Sequence, residues 1–145
     1  MQNTVYKPRS VVIASRDHLC VNKMVNMNRG YALNAACKNA QKAINPCIYY
    51  KNREKARHMQ WDVADIEELH KLAERFEFCP YYGNKERANM ADIIFMPYNY
   101  LIDEKIRDSL DLKFDNSIII FDEAHNIQQC AEDIASFEVK TKNLD

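Results

Sequence analysis

An α/β fold, a parallel sheet interrupted by a mostly helical or irregular four-cysteine segment, is what this sequence predicts. Three observations carry it. Short apolar, largely β-branched runs at residues 11–14, 91–96 and 118–121 read as buried strands, and each stops at a polar loop: Ser15-Arg16, Tyr98-Asn99 and Asp122-Glu123. Parallel wiring brings such loops to one sheet edge, where ligands of open α/β sheets sit. Between the first two runs, residues 62–76 repeat Ile66, Leu69, Leu72, Ala73 and Phe76 at helical steps. Residues 21–50 are polar and asparagine-rich, with too few large apolar side chains to bury a core of their own; they need a staple, and Cys20, Cys37, Cys47 and Cys79 are candidates.

In chain order, residues 1–10 are polar and Pro8 breaks regular structure. The strand at 11–14 runs into Ser15-Arg16-Asp17-His18. The helix at 62–76 starts on Asp62 or Asp65 as cap and ends before Cys79-Pro80-Tyr81-Tyr82. The strand at 91–96 stops at Pro97. A helix over 101–110 turns Leu101, Ile102, Ile106 and Leu110 inward. Ile118, Ile119, Ile120 and Phe121 form the third strand, and a helix from Asn126 carries Ile127, Cys130, Ala131 and Ile134 on one stripe. After Phe137 the chain is polar.

The 145 residues, 47% hydrophobic and 28% charged, suit one modest globular domain. The net charge of −1 conceals segregation. Residues 21–57 carry eight basic residues against one acid, a local net of +7; residues 103–145 carry eleven acids against five basic residues, a local net of −6. A basic stretch with Tyr31, Tyr49 and Tyr50 inside it suits a single-stranded nucleic acid. No signal peptide or membrane-length apolar run is visible, so the cysteines are expected in a reducing compartment. The only glycines, Gly30 and Gly83, lack the context of a phosphate-cradling G-x-x-x-x-G-K-[ST] loop. A complete nucleotide site is therefore not expected here, and the chain is expected to be a piece of a larger protein.

Asp122 and Glu123 follow a buried strand directly. Two acids there suit chemistry on a metal-bound phosphate: Asp122 as Mg²⁺ holder, Glu123 as activator of the attacking water. The four cysteines are separated by sixteen, nine and thirty-one residues. Zinc sites usually contain close pairs, and none exist here. Spacing alone leaves three readings open: core or free thiols, zinc, and an iron–sulfur cluster. Cys130, on an apolar helical stripe, reads as core.

Asp122-Glu123-Ala124-His125 resembles the DEAH box of superfamily 2 helicases. Ser15-Arg16-Asp17-His18-Leu19-Cys20, Cys37, Cys47, Phe78-Cys79-Pro80-Tyr81-Tyr82, the run at 91–101 and Ile119-Ile120-Phe121 with the box and Asn126, in that order, resemble the XPD-type iron–sulfur DNA helicases over residues 6–139. The wording is most similar to the Fanconi anaemia group J branch, with the telomere-length-regulating branch nearly as similar. The resemblance implies a RecA-like motor domain, residues 1–19 and 86–136, interrupted by an iron–sulfur domain at 20–85, with 137–145 opening a further insertion. It implies ATP-dependent 5′ to 3′ unwinding of DNA in repair and genome maintenance, in the nucleus, with single-stranded and duplex DNA, ATP and repair proteins as partners and no membrane. It implies that Cys20, Cys37, Cys47 and Cys79 ligate a [4Fe–4S] cluster. Asp122 and Glu123 serve Mg²⁺ and water, and His125 couples nucleotide state to the motor. Arg16 contacts DNA or the cluster surroundings; Tyr98 and Asn99 are candidate strand contacts, as are Lys51, Arg53 and Lys55 from the basic stretch. Without the phosphate loop and the second motor domain, the fragment alone is expected to be inactive. The alternatives are a cluster-stabilised single-stranded DNA-binding module without motor activity and a zinc-stapled interaction domain.

Overall fold

A parallel strand pair needs a long crossover, and here the cysteine segment is that crossover. The computed structural model describes residues 5–59 and 64–136. The chain divides into two compact units, Met1–Met96 and Pro97–Asp145. In the first, β1 (Ser10–Val12) pairs in parallel with β2 (Ile93–Phe95), Ser10 opposite Ile93 and Val12 opposite Phe95. The Ile13 N–H extends the ladder to the Phe95 carbonyl at 2.8 Å. Both strands are shorter than the apolar runs they overlap, and β1 begins at Ser10, one residue before its run. The register is held at its start by Arg9, whose guanidinium grips Asp92 through two bonds of 2.8 and 3.1 Å while its backbone N–H donates to the same carboxylate at 2.9 Å. These hydrogen bonds hold the Asp92 carboxyl down at about 2.

The crossover is more regular than its composition suggests. It comprises α1 (Arg16–Leu19), α2 (Lys23–Asn26), α3 (Gly30–Lys42), α4 (Ile48–Lys51), a 3-10 helix (Arg53–His58), α5 (Ile66–Phe76) and α6 (Pro80–Ala88). Asn22 caps α2, its Oδ1 accepting from the Met24 and Val25 N–H groups. Ala32, Ala35, Ala36 and Ala40 give α3 its helical preference despite its polarity. Only Leu33 of α3 is buried, so the helix holds little core of its own.

The core of this unit is Ala14, Leu19, Val21, Ala56, Leu69, Ala73 and Phe78. α5 opens on a capping box between Asp65 and Glu68, settling the cap on Asp65; Asp62 lies outside the described residues. Leu69 and Ala73 face inward as the periodicity predicts, whereas Phe76, in the last turn, is 41% exposed. α6 lies against the 3-10 helix through Gly83, where an added Cβ would stand 2.5 Å from the Ala56 Cβ. The buried Asn84 of α6 donates to the Val12 carbonyl at 2.8 Å, tying helix to sheet.

In the second unit the expected 101–110 helix is two: α7 (Asn99–Ile102) and α8 (Glu104–Leu110). Asp103 divides them, because its extended backbone lets its side chain cap the Lys105 and Ile106 N–H groups. The largest departure is at residues 118–121. They form no strand, and Ile118 and Ile120 are 91% and 88% exposed. A buried strand exists only by pairing and by cover on both faces; among the described residues no strand lies beside this run. A 3-10 turn (Ala124–Asn126) then leads into α9 (Ile127–Ala135). The expected polar tail at 137–145 lies outside the described residues. Among them no helix is long and apolar enough to cross a membrane.

Candidate metal centre and the acidic turn

The four widely spaced cysteines meet. Cys20 closes the end of α1, Cys37 sits in mid-α3, Cys47 precedes α4, and Cys79 precedes α6 with Pro80 at the first helical position. All four line one small cavity, with Val21, Val25, Ala40, Tyr49 and Tyr50 among its walls. The free space is about 20 Å³, room for a group of water size with the thiols as they stand. Among the described residues no carboxylate or histidine lines it. Convergence on a cavity is not convergence on a point: among the described residues no three Cys, His, Asp or Glu side chains close on a single-ion site. None of the cysteines is disulfide-bonded.

Each sulfur has a polar neighbour. The Asn22 Nδ2 donates to the Cys47 Sγ at 3.2 Å, and the Gln41 Nε2 donates to the Cys37 Sγ at 3.3 Å. Burial pushes the Cys79 thiol up to about 12, opposed by backbone hydrogen bonds from Tyr82 and Tyr81 and reinforced by Cys37 and Cys20. Burial also raises the Cys20 thiol; a backbone hydrogen bond with Asn22 opposes the rise, and Cys37 and Cys47 add to it. The sulfurs thus sense one another's charge.

Arg16 braces this site from behind. It is half-buried, stacks 4.1 Å over the Tyr81 ring, and donates to Asn34 Oδ1 at 2.9 Å and to the Tyr82 hydroxyl at 2.8 Å. Tyr82 also accepts from Gln41 at 2.9 Å, so Arg16, Tyr82, Gln41 and Cys37 form one chain of contacts.

The basic stretch is less free than its sequence suggests. Arg53 bonds Glu86 at 3.0 Å and lies 4.7 Å over the Tyr50 ring, and Arg57 takes the other Glu86 oxygen at 3.1 Å. Lys51 is exposed, and Lys55, also exposed, reaches the Phe76 carbonyl at 3.3 Å. Of the three tyrosines, Tyr49 packs against the core, Tyr50 stands edge-on to Tyr82, and Tyr31 is 89% exposed.

In the second unit Asp122, Glu123 and His125 are exposed on one turn. Glu123 is left-handed, φ +50°, its N–H held by Asp122 Oδ1 at 3.1 Å, and its carboxylate meets His125 Nδ1 at 3.1 Å. Tyr98 and Asn99 line an open groove with Asn126, Gln129 and Asp133.

Asn22, Gln41 and Tyr82 went unnoticed in the sequence. Gln41 had a signal: it stands four residues after Cys37, one helical turn away. Asn22 had another, as a cap-type residue two positions after Cys20.

The family model DEAD_2 matches residues 1–144. The chain belongs to the DEAD_2 family. Among curated relatives of this DEAD_2 chain, the Anopheles gambiae protein "Regulator of telomere elongation helicase 1 homolog" is 38% identical over 151 residues. The mouse and human proteins named "Regulator of telomere elongation helicase 1" are each 35% identical, over 148 and 147 residues. Each alignment covers 99% of this chain but only 15%, 12% and 12% of those relatives. The DEAD_2 chain thus corresponds to a small part of its relatives' length.

Proposed function

We propose that this chain is part of an ATP-dependent 5′ to 3′ DNA helicase of repair and genome maintenance in the nucleus. In this reading residues 20–85 form a [4Fe–4S] domain set into a RecA-like motor domain, residues 1–19 and 86–136, with 137–145 opening a further insertion. The observation that carries it is the meeting of four sequence-distant thiols in one cavity free, among the described residues, of carboxylate and imidazole. The donor chemistry fits a cluster. All-thiol donors from four separate elements, with no close cysteine pair, suit a polynuclear group held from separate loops better than one tetrahedral zinc. When bound, the cluster supplies a cross-link among four loops.

Asp122 offers a carboxylate to a Mg²⁺ shared with ATP phosphates. Glu123 orients the attacking water and accepts its proton. His125, in contact with Glu123, relays nucleotide state to the rest of the motor. Lys51 and Lys55 meet the DNA backbone, with Arg53, held by Glu86, Glu54 and the Tyr50 carbonyl, adding its charge beside them; Tyr98 and Asn99 offer polar contacts to the strand. Arg16 positions Tyr82 and, through Gln41, Cys37.

Anaerobic purification of the longer protein tests the reading. About four irons and four sulfides per chain, lost in Cys47→Ser, support it; one zinc per chain overturns it. DNA-stimulated ATP turnover in the same preparation separates a motor from a DNA-binding module.

A further inference from the structure

Two side-chain amides are aimed at sulfur, and neither could point elsewhere at equal cost. Asn22 is locked by its cap: Oδ1 accepts from the Met24 and Val25 N–H groups at 3.1 and 3.2 Å, which turns Nδ2 toward the Cys47 Sγ at 3.2 Å. A flipped amide would set N–H against N–H. Gln41 spans both groups: the same Nε2 reaches the Tyr82 hydroxyl at 2.9 Å and the Cys37 Sγ at 3.3 Å, while Arg16 donates to that hydroxyl at 2.8 Å. Flipping Gln41 would place its carbonyl oxygen against a sulfur that must become a thiolate to bind metal. By contrast, Cys20 and Cys79 have only backbone partners: Asn22, whose carbonyl accepts from the Cys20 Sγ at 3.9 Å, and Tyr81 and Tyr82 at Cys79.

We propose that Asn22 and Gln41 are positioning residues that set the electron affinity of the metal centre by donating hydrogen bonds to two of its four thiolates. This rests on the cluster reading above. Reduction by one electron adds negative charge that spreads onto the thiolate sulfurs. An N–H donor stabilises that charge more in the reduced state than in the oxidised one, so it raises the reduction potential. The backbone partners at Cys20 and Cys79 cannot be removed by substitution, whereas the two amides can. They are the adjustable pair.

The test uses the full-length protein purified without oxygen. Gln41→Met keeps length and helix preference and removes the donor. Asn22→Ser keeps the helix cap but is too short to reach Cys47. Iron and sulfide per chain report loading; the midpoint potential is read by protein-film voltammetry, which sees only cluster-bearing molecules, so a partly loaded variant is still measured. Each variant is expected to lower the potential by about 59 mV, tenfold in a one-electron equilibrium. The double variant is expected to show the sum, because the two amides touch different sulfurs. Unchanged potentials in loaded variants would reduce the amides to a structural role and overturn the proposal while leaving the cluster intact. Wild-type protein without iron would instead remove the cluster reading itself.

Discussion

Adding one methyl group at Gly83 should damage the cysteine site from behind. An alanine Cβ there would lie 2.5 Å from the Ala56 Cβ, 3.4 Å from the Arg53 carbonyl and 3.5 Å from the Phe78 ring. Carbon atoms rest at about 3.5–4.0 Å, so α6 and the 3-10 helix must part by about 1 Å. Ala56 and Phe78 are fully buried, and nothing flexible can yield. Overpacking of this kind costs about 1–3 kcal/mol. Alanine's better helix propensity returns about 1 kcal/mol, leaving a net loss of up to about 2 kcal/mol. The Gly83 N–H also closes the first turn of α6 on the Cys79 carbonyl at 2.8 Å, so the displacement reaches the thiol. Urea unfolding should show a lower midpoint for Gly83→Ala with an unchanged slope. Ala56→Gly, added to it, removes the opposing methyl and should recover part of the loss, a positive coupling in a double-mutant cycle. A Gly83→Ala protein as stable as wild type, or a double variant no better than the sum of its singles, would refute the close approach.

Asp92 makes stability acid-sensitive. Its folded carboxyl is held at about 2 by Arg9, below its ordinary 3.8. A depressed carboxyl contributes stability above its unfolded pKa and loses it as pH falls through the folded one. Asp92→Asn should therefore unfold at lower urea than wild type above pH 4, the gap closing as pH falls toward 2; a constant gap would contradict the pairing. For DNA, single-strand affinity should weaken with salt, and neutralising Lys51 and Lys55 should each reduce the log–log slope by about 0.7. Arg53→Ala should change it less, since Glu86 already engages the guanidinium; equal effects at all three positions would argue against that engagement in solution. In the full-length protein Glu123→Gln should retain ATP binding and lower turnover by at least about 10²-fold. Near-normal hydrolysis would assign the water to another base.

Local chemistry was legible because it is written in neighbouring residues. The α5 periodicity and one of its two candidate caps, Asp65, depend on spacings of three or four positions and stand where the sequence indicates, whereas the helix opening at Pro80 follows a motif that read as a helix end. The two strands were found but overextended, since apolar runs continue past the point where hydrogen-bond partners stop. Residues 118–121 read as a strand on composition, yet strand formation is decided by neighbours, which these four residues lack among the described ones.

The sequence by itself determined the parts: which cysteines are candidates, where helices start, that two acids and a histidine share a turn, and which family the motif order resembles. Only the tertiary structure decided that Cys20, Cys37, Cys47 and Cys79 face one cavity, that Glu86 takes up Arg53 and Arg57, and that Asn22 and Gln41 point at sulfur. The reason is range. Capping and periodicity act within a helical turn, whereas these meetings join residues up to dozens of positions apart through a crossover whose path is set by the burial of Leu19, Ala56, Leu69 and Phe78.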